Sequence, residues 1–85
     1  MIQQTSLQSY QEILPDLGER QRVIYQAIRR YQPVSNGDLS RILQIPINSV
    51  TPRVKELREK YLVIRVGTKR DRLTQKTVMM WGCIQ

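Results

Sequence analysis

Asn48, Ser49, Thr51, Pro52, Arg53 and Lys55 fall close together in this chain, and a second polar set, Lys69, Arg70, Arg72 and Lys76, follows after a short apolar run. The first set can read the edges of nucleobases. An asparagine carboxamide offers a donor beside an acceptor, which matches the exposed edge of adenine, and serine and threonine hydroxyls adapt to either role. A threonine methyl or a proline ring can touch the methyl of thymine. Arg53 and Lys55 reach phosphates or a guanine. The second set is of long cations, which bind phosphate oxygens or enter a narrow minor groove.

The charge distribution favours that chemistry over solvation alone. The chain has 85 residues and a net charge of +7. From Ile45 to Gln85 nine basic residues face only Glu56, Glu59 and Asp71, a net +6, while residues 1–44 carry five basics and four acids, a net +1. A one-sided excess of this kind is an electrostatic footprint for a polyanion. Glu56 and Glu59 act against it in the second half of their segment, where they would repel phosphates and instead pair with neighbouring cations.

Other chemistries lack their parts. The absence of histidine removes the Ser-His-Asp and Cys-His nucleophile pairs and the commonest transition-metal ligand. Neither GxxxxGK[ST] nor GxGxxG occurs, and the few acids are scattered. The expectation is a protein that is not an enzyme and takes no cofactor and no metal. Cys83 is the only cysteine, which points to an inert, half-buried thiol in a reducing compartment. No apolar run is long enough to cross a bilayer, and there is no charged-then-apolar leader, so a soluble, cytoplasmic protein is expected. A hydrophobic content of 40% with 25% charged residues suits one folded domain. A domain of this size buries only about 60–65% of its unfolded surface, so its elements must be locally well specified.

The elements that position these residues follow from periodicity and punctuation. Residues 1–15 form an arm or a short helix, with Leu7, Tyr10, Ile13 and Leu14 on one side and Pro15 at its end. It packs on the domain, serves as a dimerisation helix, or is disordered. Residues 16–85 form the domain. Asp16 with Glu19 signals a helix start, and Val23, Ile24, Ala27, Ile28 and Tyr31 supply a core stripe up to Pro33. Val34 is expected in a very short strand. Ser35 and Asp38 form the next start signal, with Leu39, Ile42 and Leu43 facing inward and a turn at Gln44-Ile45-Pro46. A third helix, from Ile47 or Asn48 to about Lys60, buries Val50, Val54, Leu57 and Tyr61 and leaves Asn48, Pro52, Lys55 and Glu59 outside. Pro52 is tolerated best near a helix start, which argues for a beginning near Asn48. Leu62–Val66 and Thr77–Trp81 read as paired strands around a basic tip at 67–76, with Ile64, Val66, Val78 and Met80 inward unless the ribbon shows its other face. Tyr25, Tyr31 and Tyr61 are expected in the core, and Trp81 under the hairpin.

Two helices joined by a short turn and followed by a hairpin make a winged helix-turn-helix. The fold expected is mainly α with a small β-hairpin, three core helices carrying a two- or three-stranded wing sheet. In that fold the second helix of the pair enters the major groove, its N-terminal residues at the base edges.

Ser49-Val50-Thr51-Pro52-Arg53-Val54-Lys55-Glu56-Leu57-Arg58, then Leu62-Val63-Ile64, Gly67-Thr68-Lys69-Arg70 and Thr77-Val78-Met79-Met80-Trp81, resemble the small winged-helix proteins of phages and prophages and, more loosely, the MarR-like regulators. The likeness spans Leu17 to Trp81. It implies a DNA-binding module with the helix from Asn48 as reader and residues 67–76 as wing. The chain departs from that pattern twice. Tyr61 stands where a glycine usually ends the helix in a left-handed conformation, and Gln75 stands near another expected glycine at the wing tip.

Double-stranded DNA is therefore the partner expected, for a small transcriptional regulator or a phage DNA-transaction accessory. A single module of this kind buries roughly 600–1,000 Å² on DNA. Homodimerisation through the N-terminal arm, or a protein partner, would add to that. The rival readings are a winged-helix protein–protein adaptor and binding of RNA or an unusual duplex by the same surface.

Overall fold

Three helices and three strands, described in a computed structural model over residues 17–84, build the domain. In chain order they are α1 (Glu19–Tyr31), β1 (Val34–Ser35), α2 (Asn36–Leu43), α3 (Ile47–Glu59), β2 (Val63–Arg70) and β3 (Thr77–Cys83). The sheet is antiparallel with β3 in the centre, in the order β1-β3-β2. This is the winged helix-turn-helix arrangement, with the two-residue strand at Val34 present and the wing sheet three-stranded.

The helix starts show both agreement and departure. Ser35 caps α2 as expected: its hydroxyl accepts from the Asp38 N–H at 3.1 Å, and the Asp38 carboxylate accepts from the Ser35 N–H at 3.1 Å. Asp16 and the N-terminal arm lie outside the described residues. Gly18 is the N-cap of α1, and Gln21, rather than Glu19, reaches back to accept from its N–H at 3.1 Å. The first residue of α3 is Ile47, so Pro52 sits in its second turn and not at its start. Having no N–H, Pro52 leaves the Asn48 carbonyl without its usual donor in the helix ladder.

α3 ends in a Schellman motif. The Leu62 N–H donates to the Leu57 carbonyl at 3.0 Å and the Tyr61 N–H to the Arg58 carbonyl at 2.9 Å. Tyr61 is left-handed, with φ 61°. It neither extends the helix nor enters the core: it takes the glycine conformation despite its Cβ, and the residue is 80% exposed.

The core gathers Ile24, Tyr25 and Ile28 of α1, Leu39 of α2, Val50, Val54 and Leu57 of α3, and Val34, Val63 and Trp81 of the sheet. Tyr25 lies inside, as expected. Val23 and Tyr31 are exposed, because the buried stripe of α1 is turned toward Tyr25, and Ile42 is exposed on α2. The ribbon shows the face opposite to the one expected from Ile64 and Val66. Leu62 and Val63 follow the Schellman turn directly into the core, and the pairing of Val63 with Cys83 and Arg65 with Trp81 puts Val63 and Trp81 on one side. A one-residue change of face moves Ile64 and Val66 outward. A bulge between Arg65 and Gly67 breaks the regular alternation beyond that point. The strands are also longer than expected: Gly67–Arg70 belong to β2, so the wing tip is residues 71–76.

Candidate nucleic-acid interface

Asn48, Thr51, Pro52 and Lys55 share the exposed face of α3, opposite Val50, Val54 and Leu57. Ser49 lies beside them, half-buried. Thr51 is partly committed. Its hydroxyl donates to the Ile47 carbonyl at 3.2 Å and accepts from the Asn36 carboxamide at 3.4 Å. The other end of that carboxamide accepts from the Trp81 indole N–H at 2.8 Å, so a polar chain runs from β3 through the start of α2 to α3.

Arg53 differs from its neighbours. Its guanidinium donates to Glu56 at 2.8 Å, and Glu56 in turn accepts from the Gln21 carboxamide of α1 at 2.7 Å. Its Nε is buried and makes no hydrogen bond. The Gln21 hydrogen bond, opposed by loss of hydration and aided by Arg53, holds the Glu56 carboxyl below its usual pKa. Glu56 thus joins α3 to α1 and holds Arg53, and among the described residues Lys55 makes no ion pair on the exposed face of α3.

The wing cations also divide into paired and unpaired groups. The Lys69 ammonium lies 2.6 Å from Asp38, and Arg41 bridges Asp38 at 2.9 Å and Asp71 at 3.2 Å. Burial works against ionisation of Asp38, but hydrogen bonds from Lys69, the Ser35 N–H and Arg41 outweigh it and bring its pKa down to about 2. Among the described residues Arg70, Arg72 and Lys76 have no carboxylate partner. Arg70 donates from Nε to the Gln75 carbonyl at 3.2 Å, which lies it along the ribbon. Gln75 has φ 62°, filling the second glycine-like position of the wing with a left-handed residue.

Helix and wing face one another across an open cleft of about 560 Å³, lined on the helix side by Asn36, Ile47 and Thr51 and on the wing side by Lys76, Val78 and Met79. Trp81 is not part of a stacking surface. It is buried, with the Arg58 guanidinium 4.7 Å from its ring centroid. Asn36, Asp38, Arg41 and Asp71 were not among the residues expected at the site. The spacing Ser35–Asp38–Arg41 is the sequence signal for part of this group, since it stacks all three on one helical edge. The described residues contain no group of acids, cysteines or histidines able to hold a metal ion, and no helix long and apolar enough to cross a membrane.

Comparison with protein-family models, with curated proteins and with solved structures gives no match to this chain.

Proposed function

We propose that this protein binds double-stranded DNA without catalysing a reaction, with the N-terminal half of α3 in the major groove and the wing on the backbone or in the minor groove. The observation that carries this reading is the shared exposed face of Asn48, Thr51, Pro52 and Lys55, of which Thr51 lines an open cleft that has Lys76 on its wing side. A base-reading set and a phosphate-binding set then act on one duplex from two adjacent elements. The likeness to phage-type and MarR-like winged-helix proteins is part of the same proposal, and a regulatory or DNA-transaction role in the cytoplasm goes with it. A protein partner, or pairing through the N-terminal arm, would enlarge a footprint that is small for a lone module.

The two sets respond differently to substitution. Asn48→Ala costs about 1–3 kcal/mol at a preferred sequence and little elsewhere. Arg72→Ala and Lys76→Ala each weaken binding to all sequences and reduce the salt slope by about one ion. Fluorescence anisotropy on a selected and a scrambled duplex, titrated across salt, separates them. Equal loss on both duplexes for Asn48→Ala would remove it as a base reader.

A further inference from the structure

Asp71 is an acid in the middle of a basic wing, at the position where a negative charge would most oppose a phosphate. Yet its side chain is only 5% exposed. One carboxylate oxygen accepts from the Leu73 N–H at 3.2 Å, the Thr74 N–H at 2.9 Å and the Thr74 hydroxyl at 3.1 Å. The other accepts from Arg41 at 3.2 Å. Two backbone bonds close the same tip, Asp71 N–H to the Lys76 carbonyl at 2.8 Å and Gln75 N–H to the Asp71 carbonyl at 2.9 Å. Arg41 continues to Asp38, which takes Lys69 and caps α2. Four side chains, Lys69, Asp38, Arg41 and Asp71, therefore tie the root and the tip of the wing to the first turns of α2, the helix that leads directly into α3.

We propose that Arg41 and Asp71 are positioning residues: their ion pair fixes the wing against α2 and so aims Arg72 and Lys76 at the same duplex that α3 reads. Neither residue need touch DNA. The inference rests on the proposed function for its purpose, and on the hydrogen bonds above for its geometry. A two-stranded ribbon projecting beyond its supporting helices is weakly held on its own. Cations on a loosely held ribbon bind phosphate only after the ribbon is ordered, which lowers affinity by the conformational freedom lost.

The sign of the Asp71 effect tests this. By charge alone, Asp71→Ala raises the net charge by one and should tighten binding to a polyanion. Positioning predicts the reverse: roughly fivefold weaker binding or more. Asp71→Asn retains an acceptor for the Thr74 N–H but not the ion pair, and falls between; Arg41→Gln, which loses the pair and one positive charge, weakens binding at least as much as Asp71→Asn. In a protein already carrying Arg72→Ala and Lys76→Ala the two cations that the ion pair aims are gone, so most of the added loss from Asp71→Ala disappears. Binding is measured by anisotropy on a duplex pool, with circular dichroism to show that each variant is folded. Unchanged or tighter binding by folded Asp71→Ala, or a loss that persists fully in the background lacking the two cations, would overturn the proposal. If the unaltered protein fails to bind DNA at low salt, the proposed function falls. The ion pair is then judged by amide exchange at residues 71–76: faster exchange in Arg41→Gln upholds the tie to α2, and unchanged exchange refutes it.

Discussion

The Lys69 ammonium sits 2.6 Å from the Asp38 carboxylate, so the wing is joined to α2, the helix that precedes α3. Lys69 belongs to the basic group that the sequence presents as a phosphate-binding set, yet a carboxylate already engages it. Its replacement by alanine should reduce the salt slope of DNA binding by less than replacement of Lys76 does. Parallel salt titrations of the two variants check this, and equal slopes would mean that Lys69 leaves Asp38 for a phosphate.

The same contact sets an acid limit on stability. The Asp38 carboxyl titrates at about 2 in the folded protein, against an ordinary 3.8. A lowered folded-state pKa stabilises the fold above pH 4, and that contribution is lost as pH falls from about 4 to about 2. It amounts to about 2 kcal/mol at most. Urea unfolding at a series of pH values should show this loss, and Asp38→Asn should flatten the curve over that window while being less stable at neutral pH.

Tyr61 is held at φ 61° with its ring in solvent. Left-handed geometry costs a residue with a Cβ about 1 kcal/mol, and little packing is lost when this side chain is removed. Tyr61→Gly should therefore raise stability by about 0.5–1 kcal/mol, despite the greater freedom of glycine in the unfolded chain. Tyr61→Val, β-branched and worse suited to that region, should lower it. Chemical denaturation of the pair measures both, and a destabilised Tyr61→Gly would show that the exposed ring has a stabilising contact.

Burial raises the Cys83 thiol to about 11, a shift that Arg29 opposes. The thiolate is the reactive form, so alkylation by iodoacetamide at pH 8 should be much slower in the folded protein than in urea. Equal rates would place the thiol in free contact with water.

Local signals exposed much of the fold. Ser35 with Asp38, and the run of Val50, Val54 and Leu57, are short-range patterns whose physics is complete within a few residues, and both appear as expected. The face of the ribbon was harder, because Ile64 and Val66 are as apolar as Val63. Only the geometry of the Schellman turn at Tyr61 and the pairing with β3 decide which enters the core. The shared exposed face of Asn48, Thr51, Pro52 and Lys55 was legible in the same way, from helical spacing. The ties that hold the wing were not: Arg41 and Asp71 lie 30 residues apart and meet only through the packing of the hairpin on α2. The pairing of Arg53 with Glu56 was legible from their i, i+3 spacing, whereas the hydrogen bond from Gln21 to Glu56, 35 residues away, was not.

Selection from a random duplex-DNA pool, with the winners titrated across salt, bears most directly on the central claim. A steep salt slope with an enriched motif is the predicted result, and the symmetry of that motif reports the number of copies bound. Absence of binding at low salt would contradict the account.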